Sequence, residues 1–108
     1  MKVEILYLSG CFHYPEAVRR VQDVLHQEGI PADIVEVEVT DLESALSLGF
    51  LGSPTIRVEG EDVEHAARKL AAFGMSCRTY VEGGMRSGVP PREWIRAALQ
   101  EAIGNQGN

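Results

Sequence analysis

The hydrophobic pattern changes its period twice within the first 39 residues, and this constrains the fold more than any other feature. Residues 3–8, VEILYL, are almost continuously apolar, which is typical of a strand buried on both faces. Apolar residues then recur at helical spacing over 15–28, and residues 32–39 alternate apolar with acidic side chains, as at a sheet edge. A strand–helix–strand unit of this kind requires two parallel strands joined by a right-handed crossover.

The rest of the chain continues the alternation of helices and strands. Thr40 or Asp41 is placed to cap a short helix that ends near Leu48. We further predict a strand over 55–60, a helix over 61–74, a strand over 76–84 and a helix over 90–103. The order predicts one α/β domain over residues 1–103, with about four strands in a mixed sheet, flanking helices, and a disordered tail over 104–108.

The composition of the 108 residues excludes several functional classes. The formal net charge is -6 and the basic residues are scattered, so we expect no nucleic-acid partner. No apolar stretch approaches the roughly 18 residues that a membrane-spanning helix needs, so no membrane partner is expected. Glu4 interrupts the N-terminal apolar run, which favours a first strand over a signal peptide. Two cysteines do not make a disulfide framework, and the reducing cytoplasm is the expected compartment.

Cys11 lies in the stretch SGCFHYPEAV, between the first strand and the first helix. The N-terminus of a helix lowers the pKa of a nearby thiol and so favours the reactive thiolate. Pro15 is typical of a first helical turn, which leaves Cys11 some residues ahead of the helix, and the dipole effect fades within one turn. The alternative is that Cys11 is only a small residue at a crowded turn.

The neighbours of Cys11 allow two interpretations each. His13 could stabilise a thiolate or help to bind a soft metal, or it could be a solvated loop histidine. Phe12 and Tyr14 could form an apolar lip over a site, or they could simply pack on the sheet.

The residues GSPT, 52–55, immediately precede the third strand. A cysteine between the first strand and the first helix, combined with Ser-Pro-Thr before the third strand, resembles the thioredoxin superfamily. The resemblance implies a three-layer sandwich in which Cys11 is the first cysteine of the redox motif, Pro54 is a cis-proline facing it, and the backbone of Ser53 pairs with an extended substrate. We expect substrate contacts from Ser53, Pro54 and Thr55 in this turn and from Phe12, His13 and Tyr14 beside Cys11.

A narrower resemblance comes from the stretches GC, FLGSPTIRV, GMSCRTY and SGVPPREWI. Together they are similar to a group of small bacterial thioredoxin-like proteins. Members of that group are sometimes labelled alkylmercury lyase-like, or are related to selenoproteins that carry selenocysteine at the position of Cys11.

The motif departs from thioredoxin at one position, because Tyr14 stands where the resolving cysteine belongs. Internal attack by a second thiol normally releases a mixed disulfide, and Tyr14 cannot do this. Cys77 is expected to open a strand that runs antiparallel to the third strand, about 15 Å from Cys11. At that distance the two cysteines cannot form a disulfide, so we interpret Cys77 as a small buried apolar residue.

Three functions remain open from the sequence. The first is a thiol-dependent redox protein with Cys11 as its single reactive cysteine, a monothiol–disulfide oxidoreductase whose partner is a protein or a low-molecular-weight thiol or disulfide such as glutathione. The second is a protein that binds a soft metal or an organomercurial through thiolates. The third is a non-catalytic module that docks a partner at the groove near Pro54 or at the edge strand. The first interpretation requires no cofactor and no resident metal.

Overall fold

The computed structural model describes residues 1–106 of the chain. In chain order the elements are β1 (Lys2–Tyr7), α1 (Tyr14–Glu28), β2 (Asp33–Glu38), α2 (Leu42–Leu48), β3 (Thr55–Val58), β4 (Glu61–Asp62), a 3-10 helix (His65–Lys69), β5 (Tyr80–Glu82), β6 (Met85–Ser87) and α3 (Arg92–Gln106). The strand–helix–strand start and the helices predicted over 15–28, after Asp41 and over 90–103 are confirmed. Helix α3 continues to Gln106, three residues beyond the predicted domain end, and the last two residues of the predicted tail lie outside the described part.

A mixed four-stranded sheet in the order β2-β1-β3-β4 organises the fold. Strand β1 is parallel to β2 and antiparallel to β3, and β3 is antiparallel to β4. Strand β2 lies at the edge of the sheet, as its alternating acidic pattern predicts, and most of its side chains are exposed. The described residues therefore form a mixed α/β fold with three α-helices.

Strand β1 is buried on both faces, because successive side chains of a strand point to opposite sides. Val3 and Ile5 belong to a core cluster with residues of α1 and α3. Leu6 belongs to a second cluster, with Ala45 of α2 and Phe50. Helices α1 and α3 thus cover one face of the sheet and α2 covers the other.

The helix boundaries follow from local capping. Helix α1 ends at Gly29, whose φ of 64° is left-handed and whose N–H bonds back to the helix, as the sequence predicts. Asp41 caps α2 by accepting a hydrogen bond from the Ser44 N–H at 2.7 Å. Hydrogen bonding from the Ser44 side chain, followed by that from its N–H, holds the pKa of the Asp41 carboxyl below its usual value.

The predicted helix over 61–74 is wrong. Glu59 and Gly60 both have positive φ and turn the chain back on itself, so that Glu61 and Asp62 pair with β3 as β4. The Val63 N–H continues the pairing through a 3.1 Å bond to the Ile56 carbonyl. Only a short 3-10 helix, His65–Lys69, remains of the predicted helix. Sheet pairing therefore overrides the helical period of this segment.

The predicted strand over 76–84 is also largely wrong. Strand β4 already occupies the free edge of β3, so the later segment cannot join the sheet there. Only Tyr80–Glu82 is a strand, and it forms a separate hairpin with Met85–Ser87. Among the helices of residues 1–106, none is long and apolar enough to cross a membrane.

Candidate functional site

Both cysteines line one open cleft with a volume of about 680 Å³. The cleft, called here the thiol cleft, lies between residues 11–13, Ser53, residues 77–79 and residues 86–88. Cys11 is half-buried, Cys77 is exposed, and both are free thiols. The thiol cleft therefore brings together two thiols that lie far apart in the chain.

The Cys11 loop, residues 8–13, connects β1 to α1. The Cys11 N–H donates to the Leu8 carbonyl at 3.1 Å, and the Cys11 carbonyl accepts from the Tyr14 N–H at 3.4 Å. His13 is the N-cap residue of α1, and its side chain makes no capping hydrogen bond. Cys11 thus lies just ahead of a helix N-terminus whose N–H groups donate no hydrogen bond to the N-cap side chain.

The aromatic residues next to Cys11 differ in their surroundings. Phe12 is 88% exposed and contacts the His13 ring edge-on. The His13 ring lies against Gly88, where a Cβ atom would overlap the imidazole. Phe12 and His13 therefore form part of the wall of the thiol cleft.

Tyr14 does not line the thiol cleft, although it is predicted to contact a substrate there. Its ring stacks on Tyr7 with a centroid distance of 3.7 Å, and its hydroxyl donates to the Glu36 carboxylate on β2. Burial, followed by that hydrogen bond, raises the pKa of Tyr14 above its usual value. The first turn of α1 directs this side chain to the sheet, so Tyr14 is a packing residue.

The turn before β3 lies beside the Cys11 loop. The Leu8 N–H donates to the Ser53 hydroxyl at 2.9 Å and joins the two segments directly. The Ser53–Pro54 peptide bond is cis, the isomer that the resemblance implies. Pro54 and Thr55 are buried behind Ser53 and do not line the thiol cleft, so of these three residues only Ser53 faces it.

Cys77 lies beside Ser53, at the site, and not at the far end of a strand as predicted. The Ser53 N–H donates to the Ser76 carbonyl at 2.9 Å, and the Arg78 N–H donates to the Ser53 carbonyl at 3.0 Å. Ser53 and Cys77 thereby form an isolated parallel bridge, which places their Cα atoms about 5 Å apart. The 15 Å separation assumed that the segment was a sheet strand, whereas it crosses the turn before β3. Nor is Cys77 buried.

A buried ion pair holds the Cys77 segment, defined as residues 76–80. The Arg78 guanidinium donates to both carboxylate oxygens of Asp62, at 2.8 and 3.0 Å. Both side chains are buried, with exposures of 6% and 7%. Burial alone would lower the pKa of Arg78, but the hydrogen bonds to Asp62 and Glu64 and the charge of Asp62 act against burial, and the pKa stays above its usual value.

Further bonds tie the same segment to the turn before β3. Arg78 donates to the Thr55 hydroxyl at 3.0 Å, and the Tyr80 hydroxyl donates to the Pro54 carbonyl at 2.6 Å. The Arg78 guanidinium also lies 4.5 Å from the centre of the Tyr80 ring. Burial raises the pKa of Tyr80, so its hydroxyl keeps the proton that it donates. Residues on both sides of the Ser53–Cys77 bridge are therefore fixed.

Sequence reasoning did not identify Arg78 and Asp62. The only local signal is an arginine next to Cys77 in a stretch predicted to be a strand, and a buried arginine requires an acidic partner. The chain has 16 acidic residues, so the pattern alone could not select Asp62.

The thiol cleft is basic although the chain is acidic. Among the described residues that line it, three are basic, His13, Arg78 and Arg86, and none is acidic. Asp62 neutralises Arg78, whereas Arg86 is exposed and has no ion pair within residues 1–106. Arg86 therefore leaves a net positive charge beside the two thiols.

Other parts of the described structure are weaker candidates for a functional site. Within residues 1–106 no three His, Cys, Asp or Glu side chains converge on a metal site. A second cleft, of about 420 Å³ and lined by residues that include Val63, His65 and Trp94, contains no cysteine. The two thiols thus remain the clearest reactive groups.

The comparisons with known proteins add no further site. No family model, no curated protein and no solved structure matches this chain. Support for a function therefore comes from the residues of the thiol cleft.

Proposed function

We propose that this protein is a thioredoxin-like thiol–disulfide exchange protein in which Cys11 is the nucleophile. The strand order β2-β1-β3-β4, with a parallel β1–β2 pair and an antiparallel β3, supports this fold assignment. The observation that carries the proposal is the position of the free Cys11 thiol in an open cleft beside Ser53 and ahead of the α1 N-terminus.

The chemistry requires only thiols and disulfides. The Cys11 thiolate attacks one sulfur of a substrate disulfide, forms a mixed disulfide, and releases the other half as a thiolate that takes a proton from water. An external thiolate then attacks the substrate sulfur of the mixed disulfide. Cys11 leaves as a thiolate, and the bound half departs as a new disulfide. Each exchange breaks one S–S bond and forms another.

The surroundings of Cys11 favour a small, anionic substrate. The N–H and the carbonyl of Ser53 are both bonded to the Cys77 segment, so an extended peptide cannot pair with that backbone while the segment is in place. Arg86 and His13 line the thiol cleft and no acidic side chain of residues 1–106 does. A low-molecular-weight disulfide with carboxylate groups, such as oxidised glutathione, satisfies both conditions.

The test is the reaction of the reduced protein with oxidised glutathione, followed by intact-mass and peptide-mapping mass spectrometry. We expect the first glutathione adduct to form on Cys11, faster than on a cysteine peptide of the same sequence, and we expect the Cys11→Ser variant to lose this fast reaction. Cys77→Ser is the matched control, because it keeps Cys11 and should still form the adduct. A Cys11 that reacts no faster than the peptide contradicts the proposal.

The second candidate is the capture of a soft metal ion or an organomercurial, and one observation favours it. The thiol cleft contains two thiols, and thiolates are the preferred ligands of soft ions. This candidate predicts that mercuric ion binds with one equivalent per chain and that either Cys11→Ser or Cys77→Ser weakens binding by orders of magnitude. Equilibrium titration against a competing thiol measures this. Unchanged affinity in both variants excludes the thiol cleft as the metal site.

A further inference from the structure

The Cys77 segment occupies the position that the thioredoxin resemblance gives to an extended substrate. Both backbone groups of Ser53 bond to this segment, and the residue at the centre of the contact is Cys77. The protein therefore carries its own cysteine at the edge of the turn before β3, on the cleft that also contains Cys11.

We infer that Cys77 is the resolving thiol of the site and that it replaces the cysteine absent at Tyr14. This inference rests on the proposed function, since it needs a mixed disulfide on Cys11. A side chain at the position of Tyr14 points to Tyr7 and β2, so the first turn of α1 does not present it to the thiol cleft. The second thiol comes instead from the opposite wall.

The resolving step balances without any further component. The Cys77 thiolate attacks the Cys11 sulfur of the mixed disulfide, a Cys11–Cys77 disulfide forms, and the substrate half leaves as a thiolate that takes a proton. In total, one substrate disulfide gains two electrons and two protons and becomes two thiols, and the protein dithiol is oxidised. Two equivalents of a low-molecular-weight thiol, or one external dithiol, then reduce the protein disulfide.

The way each cysteine is held indicates which one moves. A disulfide requires Cα atoms within about 7 Å of each other. The Cys77 segment is fixed by the Ser53 bridge on one side and by the buried Arg78–Asp62 pair on the other. The Cys11 loop is more exposed, and its backbone bonds at Cys11 are local ones to Leu8 and Tyr14. The Leu8 N–H anchors the start of the loop to Ser53, so any movement that brings the two sulfurs together comes from residues 9–13.

The experiment measures the lifetime of the glutathione adduct on Cys11. Reduced wild-type protein and Cys77→Ser are treated with oxidised glutathione, sampled over time, quenched with acid and mapped by mass spectrometry. We expect the wild type to accumulate a monomer that has lost two hydrogens and carries a Cys11–Cys77 linkage. We expect the adduct in Cys77→Ser to persist at least about ten times longer.

A relocated cysteine provides the matched control. Ser76 precedes Cys77 in an extended segment and does not line the thiol cleft, so a thiol there faces away from Cys11. The double variant Cys77→Ser/Ser76→Cys has the same number of thiols as the wild type, and we expect its adduct to persist as in Cys77→Ser. Resolution at the wild-type rate in this variant overturns the assigned role of Cys77.

The outcomes separate this inference from the proposed function. If Cys11 forms the adduct and the adduct is equally long-lived in wild type and Cys77→Ser, the inference is wrong and the monothiol mechanism stands. If the oxidised product is a dimer linked between chains, the inference is also wrong. If Cys11 forms no adduct even in Cys77→Ser, the proposed function is wrong, and the inference about Cys77 is wrong with it.

Discussion

The two cysteine-bearing walls of the thiol cleft differ in the contacts that hold them in place. The Cys11 loop is exposed around its cysteine, with Phe12 88% exposed, and Cys11 itself bonds to nearby residues. The Cys77 segment is held by contacts distant in sequence, to Ser53 and Asp62, although Cys77 itself is exposed. Under the proposed function, the wall with Cys11 would supply an adaptable nucleophile and the wall with Cys77 a fixed position.

The largest effect is expected from the ion pair that fixes the Cys77 segment. Asp62→Ala removes the bidentate partner of the buried Arg78 and leaves its 3.0 Å bond to the Glu64 carboxylate, so the loss in the free energy of unfolding should fall at the lower end of the about 3 to 5 kcal/mol for a broken buried pair. Urea denaturation measures the loss. The exposed pair of Glu16 and Arg19 on α1 is the control, and Glu16→Ala should change stability far less.

A double variant sharpens this prediction. Asp62→Ala/Arg78→Met removes both charges and leaves an apolar side chain in the buried space, so it should recover most of the stability lost in Asp62→Ala. If Asp62→Ala alone costs less than about 1 kcal/mol, the Arg78–Asp62 pair contributes no more than an exposed ion pair does, and this contact does not fix the Cys77 segment.

The next largest effect is expected at Gly52, where the Cys77 segment crosses the turn before β3. Gly52 has a φ of 128°, and a Cβ atom there would lie 2.9 Å from the Arg78 Cβ. Gly52→Ala is therefore expected to cost about 1 to 3 kcal/mol and to lower the yield of the Cys11–Cys77 disulfide, because the segment must move away from Ser53.

Gly74→Ala is the matched control for this substitution. Gly74 lies near the start of the same segment, its φ is not positive, and a Cβ atom there meets nothing within 4 Å. Its stability and disulfide yield should equal those of the wild type. Thermal unfolding and mass spectrometry of the oxidised protein measure the two effects, and equal behaviour of the two variants would show that close packing at Gly52 does not position Cys77.

A smaller effect is expected from the charge of the thiol cleft. Arg86→Glu replaces a cation without an ion pair among the described residues by an anion, so the reaction of Cys11 with oxidised glutathione should slow by roughly three- to tenfold. The cationic disulfide cystamine should react faster with the same variant. Lys69→Glu, an equal charge change outside the thiol cleft, should leave the ratio of the two rates unchanged. A similar shift in both variants would mean that only net charge matters.

The smallest effect is expected where the Cys11 loop meets Gly88. A Cβ atom at Gly88 overlaps the His13 ring, which is exposed and can swing into solvent, so Gly88→Ala should cost less than about 1 kcal/mol. It should slow the reaction of Cys11 by only a few-fold, to the same extent as His13→Ala, because both remove the imidazole from the cleft wall. A much larger loss in Gly88→Ala would assign the role to the Gly88 backbone instead.

The parts of the fold that follow local periodicity were predictable. The parallel β1–β2 pair, helices α1 and α3, the Gly29 cap and the Asp41 cap all follow from patterns within a few residues. The predicted helix over 61–74 is wrong because the turn at Glu59 and Gly60 brings the chain back to pair with β3 as β4. Pairing with a neighbouring strand overrides the helical pattern of the segment. The predicted partner of β3 failed for the same reason.

The sequence by itself determined that Cys11 lies between a buried strand and a helix, beside a Ser-Pro-Thr turn, because hydrophobic period and turn residues are local signals. Only the tertiary structure decided that Cys77 shares the thiol cleft. Its position depends on the Ser53 bridge and on the ion pairs of Arg78 with Asp62 and Glu64, two of the 16 acidic residues in the chain. Such contacts leave no periodic pattern in the sequence, because they join segments that are distant in the chain and meet only after the sheet has formed.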